Sequence, residues 1–197
     1  MPHLDLEARL QYLPARDRNW NPKAMAVLPI ITAPDSRLKV KSTKVGKVDA
    51  AVRKLIDDML ETMYRAPGIG LAAVQVGVAK RIIVIDIARD GEKPSPLKLI
   101  DPDLVSVSDE DATYEEGCLS LPEQFAEVAR PAAIEVAYTD YDGKPQRLKA
   151  DGLLAVCIQH EMDHLEGILF VDHISALKRN MILRKLLKQR KLAAVDA

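Results

Sequence analysis

The sequence contains only two cysteines, Cys118 and Cys157, so it is not a disulfide-stapled scaffold. It has no run of about 18 apolar residues, which argues against a membrane-spanning helix. Basic residues (28) nearly balance acidic ones (29), and the net charge of −1 predicts no bulk attraction to DNA or to a membrane. The remaining composition, 48% hydrophobic and 29% charged, is typical of a globular protein.

The first 24 residues lack the apolar stretch of a secretory signal, and they carry Asp5, Glu7 and Asp17, which a transit peptide avoids. We therefore expect a cytoplasmic protein whose thiols are reduced and free to bind metals. Regular apolar patterning begins only after residue 24. We expect an N-terminal extension (1–24), a catalytic metal-hydrolase domain (25–174) and a basic amphipathic helix (175–197) that packs on that domain.

Apolar periodicity predicts three helices. Residues 48–65 have helical spacing and stop before Pro67-Gly68. Residues 152–167 begin after Asp151, a predicted N-cap, and are apolar on every side of the first turns, which is typical of a buried helix. Residues 175–195 form the third helix. Its predicted apolar face consists of Leu177, Met181, Leu186 and Leu187.

Several segments have the composition of strands. RIIVIDI (81–87) predicts a buried strand, and 97–100 and 104–107 are weaker candidates. Residues 132–139 and 146–150 flank an Asp-Gly turn and predict a hairpin. A helix followed by strands and two further helices predicts a compact α+β domain, with antiparallel or mixed β-sheets around a central buried helix.

The central helix carries the sequence QHEMDHLEG. His160 and His164 lie one helical turn apart, so both imidazoles face the same side, and Glu161 follows the first. This pattern is typical of metal hydrolases in which the glutamate acts as general base on a water molecule. Chance placement of two core histidines is disfavoured, because polar side chains in an apolar helix need a partner.

A catalytic site of this kind uses three protein ligands, so a third must come from elsewhere. Phe170 stands where a metzincin would have histidine, and no glutamate follows the motif. Cys157 lies on the same helix, but positions 157–164 span about 10.5 Å, too far to converge on one ion. Cys118, in EEGCLSLPE, is the remaining candidate.

Three segments together resemble the motifs of the peptide deformylases: GIGLAAVQ (68–75), EGCLS (116–120) and QHEMDHLEG (159–167). They occur in the family's order, and the resemblance runs from about Met25 to the C-terminus. It implies removal of the formyl group from the N-terminal formylmethionine of nascent polypeptides.

The resemblance also implies the metal site and its reactive groups. Cys118, His160 and His164 would bind one divalent ion, Fe(II) natively, with Zn, Ni or Co able to substitute. The ligand types themselves do not choose among these metals. Glu161 would act as general base and acid on the metal-activated water.

The remaining roles follow from the same resemblance. The Gln75 amide and the Leu119 backbone N–H would stabilise the oxyanion. The substrate-binding residues would be Ile69, Gly70, Tyr114, Glu116, Gly117, Leu153, Val156 and Cys157. Tyr114 stands where an aliphatic residue is expected, and Phe125 stands where some relatives carry a basic residue.

Two acids near the predicted ligands are expected to have supporting roles. Glu116 would orient its loop through Arg130, and Asp163 would support His164 or another buried donor.

Other interpretations are weaker. GIGLAA also fits a dinucleotide-binding fingerprint, but it follows a predicted helix instead of a strand. A protease of internal peptide bonds would share Glu161 and the histidines but would leave Gln75 and Cys118 unexplained. A ribosome-associated protein with a structural metal would need a fourth ligand.

The C-terminal helix carries seven lysines or arginines between Lys178 and Lys191. A solvated basic face near a helix end is the usual interpretation. Contact with ribosomal RNA is the alternative. The expected partners are therefore an N-formylmethionyl peptide and, through this helix, the ribosome, with no membrane and no DNA.

Overall fold

The structure, a computed structural model, describes residues 25–88 and 91–193, and the predicted extension 1–24 lies outside them. The helices are α1 (Ala50–Arg65), α2 (Gly152–Leu165) and α3 (Ala176–Ala193). The strands are β1 (Gly70–Ala72), β2 (Ile82–Ile85), β3 (Leu97–Val107), β4 (Asp111–Cys118), β5 (Leu121–Pro131), β6 (Ala133–Thr139) and β7 (Pro145–Asp151). Short 3₁₀ turns occupy Ser36–Lys39, Ala73–Val76 and Phe170–Asp172.

The strands form two antiparallel sheets. Five strands follow the order β1-β2-β3-β6-β7, and β4 pairs with β5 alone. The two sheets share one ribbon, because β3 leads into β4 and β5 leads into β6, and the Ala132 N–H donates to the Glu110 carbonyl across the junction. The predicted α+β class is confirmed.

Helices cover both faces of the larger sheet, which explains why RIIVIDI has no polar alternation. Ile83 and Ile85 pack with Ile158 of α2, whereas Ile82 and Val84 pack under α1. Successive side chains of a strand point to opposite faces, so a strand covered on both sides is apolar throughout. The helix that carries both histidines is therefore buried in the centre of the molecule.

Two features differ from the sequence-based predictions. Segments 97–100 and 104–107 are one strand, β3, whose pairing with β6 shifts register around Pro102. Strands β4 and β5 escaped prediction because exposed acids along β4 interrupt the apolar alternation that identifies a strand. In the structure β4 and β5 pair with each other and form the two-stranded sheet.

The predicted apolar face of α3 is wrong in part. Leu186 is buried, but Leu177 is 73%, Met181 63% and Leu187 43% exposed. Ile182 and Leu183 pack beside Leu186 instead, against the cluster around Phe170. The residues that make this contact are spaced i, i+1 and i+4. The sequence offers two apolar stripes on this helix, and its pattern alone does not show which of them packs on the domain. No helix in the described part of the chain is long and apolar enough to cross a membrane.

Candidate active site

The fold brings a strand end to the central helix. Cys118 is the last residue of β4, and its Sγ lies 3.2 Å from Nε2 of His164 on α2. With His160, these residues each offer one ligand atom, and the three atoms lie within 4.8 Å of one another. A register shift between Gly117 and Cys118 turns the strand end toward the helix.

The orientation of the His160 ring is fixed from two sides. Its Nδ1 lies 2.7 Å from a carboxylate oxygen of Glu116, which leaves Nε2 to face the ligand cluster. Phe170 stacks on the ring with a centroid distance of 6.3 Å. The position that a metzincin gives to a third histidine is thus occupied by a buried aromatic that packs against the first. A carboxylate behind a ligating histidine also fixes its tautomer.

Glu116 belongs to a buried ionic network. Arg130 donates to its two oxygens at 2.6 and 3.1 Å, and donates to Asp163 at 2.7 Å. Burial raises the pKa of Glu116, but the hydrogen bonds with His160 and Arg130 outweigh it and lower the pKa to about 2. Both Glu116 oxygens therefore have protein partners, which favours a supporting role over the substrate-binding role assigned to it from sequence. Asp163 supports Arg130 and not His164.

We expect Arg130→Met to lower the free energy of unfolding by about 3–5 kcal/mol, because it removes the buried cation that pairs with both Glu116 and Asp163. Arg147→Met is the matched control, since Arg147 pairs with Glu135 at an exposed site and should change stability by less than about 1 kcal/mol. Urea denaturation of both variants measures the difference. Equal effects would contradict the structural importance of the network.

Glu161 is the buried carboxylate that stands beside the ligand cluster at the cavity. It is 4% exposed, and its Oε2 has no hydrogen-bond partner among the described residues. Burial raises the pKa of Glu161 to about 7, against the opposing field of His160. A buried carboxylate with a free oxygen and a pKa near neutrality can both accept and return a proton.

The histidines differ in their electrostatic surroundings. Burial disfavours the protonated form of His160, but hydrogen bonds with Cys118 and Glu116 outweigh it and raise its pKa well above the usual range. Burial and the charge of His160 lower the pKa of His164 well below it. A neutral His164 presents a lone pair to a metal, as ligation requires.

Gly70 makes room for Glu161. A Cβ built on Gly70 would overlap Oε1 of Glu161 and lie 2.9 Å from its Cδ and 3.0 Å from Sγ of Cys157. The sequence analysis assigned this glycine to substrate binding. The structure shows a second reason for a glycine at this position, because a larger residue would occupy the space of the Glu161 carboxylate.

We expect Gly70→Ala to displace the Glu161 carboxylate and to lower turnover by about 10²-fold, the usual effect of a 1 Å misplacement. Metal content should not change. Gly68→Ala is the matched control, because its Cβ would displace the flexible side chain of Leu119, at 2.7 Å, and would not meet Glu161. Steady-state kinetics and metal analysis of both variants test this, and similar losses in the two would argue against the steric explanation.

Gln75 is held on the 3₁₀ turn that follows β1. Its side-chain oxygen accepts from the Ala72 N–H at 2.7 Å, so its amide nitrogen must face the site. That nitrogen donates to Ser120 Oγ at 3.1 Å and lies 3.6 Å from Sγ of Cys118. Ser120, which sequence reasoning missed, is fully buried and orients this amide.

A cavity of about 350 Å³ adjoins these groups. Its lining contains every catalytic and substrate-binding residue predicted from sequence, together with Cys118 and His160, whereas His164 lies behind them. The predicted residues in its lining are Ile69, Gly70, Gln75, Tyr114, Glu116, Gly117, Leu119, Leu153, Val156, Cys157 and Glu161. Pro67, Gly68, Glu115 and Phe125 complete its lining, and Phe125 is 57% exposed.

Cys157 is separate from the ligand cluster. Its Sγ contacts the Ile69 carbonyl at 3.7 Å, and burial raises the pKa of its thiol well above the usual range. Cys157 is not among the three residues whose ligand atoms lie together, so it lines the cavity as a packing residue.

The donor set fits a catalytic metal. One thiolate and two imidazoles are three protein ligands, the number that catalytic zinc and related sites use, and a general base stands beside them. Arg130 and the partly exposed His173, which both contact Asp163, lie outside the cavity. No sequence motif pointed to His173.

Comparison with known proteins agrees with this geometry. The family model described as Polypeptide deformylase matches residues 27–180. The chain belongs to the peptide deformylase family. Its family consists of metal-dependent enzymes that remove formyl groups from N-formylmethionine peptides, as the sequence motifs predicted.

Individual deformylases are closely similar. The peptide deformylase of Agrobacterium fabrum is 56% identical over 164 residues, which cover 83% of this chain and 96% of that protein. That of Rhizobium meliloti is 54% identical over 173 residues, 88% of this chain and 99% of that protein.

Solved deformylases share the fold. The crystal structure of peptide deformylase from Ehrlichia chaffeensis has a TM-score of 0.82 at 43% identity, and covers 86% of this chain and 99% of its own. A complex of that organism's enzyme with actinonin has a TM-score of 0.80 at 46% identity, and covers 84% and 98%.

Proposed function

We propose that this chain removes the formyl group from the N-terminal formylmethionine of nascent polypeptides, with Cys118, His160 and His164 as its metal ligands. The observation that carries the proposal is the convergence of those three ligand atoms beside Glu161, at the edge of an apolar cavity. The reaction would take place in the cytoplasm, where nascent chains emerge.

The ion we propose is a single Fe(II), for which Zn, Ni or Co can substitute. When bound, a divalent cation supplies Lewis acidity that lowers the pKa of a water molecule and polarises a carbonyl oxygen. Thiolate and imidazole ligands suit all four metals, so the choice rests on the family resemblance.

Glu161 moves the protons of the reaction. Its Oε2, which has no hydrogen-bond partner in the part of the chain that the structure describes, takes the proton of the attacking water as the new bond to the formyl carbon forms. The same carboxyl group then returns that proton to the leaving amine. Formate is released, and the polypeptide keeps its N-terminal methionine with a free α-amino group. Gly70 keeps the space in which this carboxylate sits.

Two donors stabilise the negative charge that develops on the formyl oxygen. The Gln75 amide is aimed at the site because its oxygen is already bonded to Ala72, and the Leu119 backbone adjoins Cys118 at the cavity wall. Fixed donors of this kind each contribute about 10²–10³ in rate.

The apolar part of the cavity would hold the methionine side chain. Ile69, Leu153, Val156 and Cys157 supply aliphatic and sulfur surface there, which suits a flexible thioether. The peptide would leave the cavity past Gly117 and Phe125.

A direct assay tests this proposal. Protein purified without oxygen should release formate from N-formyl-Met-Ala-Ser and should leave unformylated casein intact. Cleavage of casein would instead favour a protease of internal peptide bonds, and no formate release from an enzyme loaded with any of the four metals would contradict the proposal.

We also propose that α3 contacts the ribosome. Five of its basic side chains are exposed, namely Lys178, Arg184, Lys185, Lys188 and Lys191. Truncation is a poor test, because Leu186 is buried in the domain. Reversing the charge of Lys185 and Lys188 should weaken salt-dependent co-sedimentation with ribosomes without altering formate release from a tripeptide, and unchanged co-sedimentation would remove this partner.

A further inference from the structure

Tyr114 brings a phenol into the apolar part of the cavity. It lies in the middle of β4, opposite the buried Val128 of β5, so its backbone position is fixed by the ribbon. Its hydroxyl reaches the start of α2, since a Cβ built on Gly152 would lie 3.7 Å from it. Leu153 and Val156, from the first turns of that helix, line the same cavity.

The Tyr114 hydroxyl makes no hydrogen bond with any residue in 25–88 or 91–193. The hydroxyl oxygen is not buried away from solvent, so a molecule that enters the cavity can reach it. Its neighbours there are Ile69, Leu153, Val156 and Cys157, and the Cys157 thiol already faces the Ile69 carbonyl. Among these lining side chains, the Tyr114 hydroxyl is therefore the polar group that is available to hydrogen-bond with a substrate side chain.

A phenol hydroxyl in this position can discriminate between substrate side chains by the hydrogen-bond acceptor strength of their terminal groups. The sulfur of methionine is a weak hydrogen-bond acceptor, whereas the oxygen of methionine sulfoxide is a strong one. Oxidation also makes the sulfur a chiral centre, so the two epimers direct that oxygen differently. A donor on a fixed strand should favour one epimer.

We propose that Tyr114 is a specificity-determining residue whose hydroxyl binds the tip of the first side chain, and that peptides beginning with N-formyl-methionine sulfoxide are substrates of this enzyme. The inference rests on the proposed deformylase function and extends its substrate class to oxidised chains. No new chemical step is required, because the formyl group leaves by the same hydrolysis.

The test compares four tripeptides that differ only in the first side chain: N-formyl-Met-Ala-Ser, N-formyl-norleucine-Ala-Ser and the separated R and S sulfoxides of the first. For the unaltered enzyme we expect one sulfoxide epimer to have the higher kcat/KM. In Tyr114→Phe, kcat/KM for that epimer should fall about 3- to 10-fold, the value of one hydrogen bond. The norleucine peptide, which has no acceptor, is the reference, so the ratio of kcat/KM for that epimer to kcat/KM for norleucine should fall by the same factor.

Tyr138→Phe is the matched control, since it removes the hydroxyl of a partly buried tyrosine on β6 that is not part of the cavity lining. It should leave all four values unchanged. An equal loss for all four peptides in Tyr114→Phe would show a structural role and overturn the inference, as would an unchanged epimer preference. Failure to deformylate even the methionine and norleucine peptides would instead refute the proposed function, and this inference with it.

Discussion

Glu161→Gln is expected to lower kcat for N-formyl-Met-Ala-Ser by about 10²–10⁴-fold, the usual contribution of a general acid–base group. The amide keeps the size of the side chain but can neither accept nor return the proton. Because Glu161 is not one of the three clustered ligand residues, the variant should still bind one metal ion per chain. Formate release and metal analysis on the same preparation measure both quantities.

Glu166→Gln is the matched control for this prediction. Glu166 caps the end of the same helix, but its carboxylate faces Lys41 and Arg81 on the surface. Its replacement should leave kcat within about twofold, since surface ion pairs contribute little. If Glu161→Gln retained more than a tenth of the activity, Glu161 would not be the proton carrier.

Cys118→Ala and Cys157→Ala should have opposite consequences for metal content. Removal of Cys118 leaves two imidazoles, which is one ligand fewer than catalytic sites of this type use. We expect this variant to lose most of its metal on dialysis and its activity with it. Cys157→Ala removes only a thiol that packs on the Ile69 carbonyl, so the variant should retain one ion per chain.

The two cysteine variants control for each other, because both remove one sulfur from the same cavity wall. Metal is quantified after anaerobic purification, with thermal unfolding as the check on folding. Retention of a full complement of metal by Cys118→Ala, together with its loss from Cys157→Ala, would reverse the assignment of the ligand.

The sequence predicted the parts of this site whose spacing is local. One helical turn joins His160 to His164, so their common direction followed from helix geometry alone. That Cys118 would meet them followed from eliminating the other candidate ligands and was supported by the family resemblance, whereas β4 and its pairing with β5, which place it there, were not recognised. The register shift that turns Cys118 toward the helix arises where Gly117 pairs with Phe125 and Cys118 pairs with Leu121, so it depends on a strand pairing that the sequence analysis had not predicted.

The features of the site that the sequence did not predict depend on contacts between elements that are distant in sequence. The pairing of Glu116 with Arg130 was predicted, but the contact of Glu116 with His160 was not, since a histidine tautomer depends on what stands behind the ring. The role of Gly70 as space for Glu161 was also missed, because the glycine and the glutamate belong to different elements. The face of α3 depended on which apolar stripe the Phe170 cluster selects.

X-ray absorption at the metal edge of anaerobically purified protein tests the coordination most directly. The account predicts one sulfur at about 2.3 Å and two imidazole nitrogens at about 2.0–2.1 Å if the protein is loaded with zinc. The sulfur should persist in Cys157→Ala. A metal shell without sulfur in the unaltered protein would contradict the convergence of β4 and α2 on one ion.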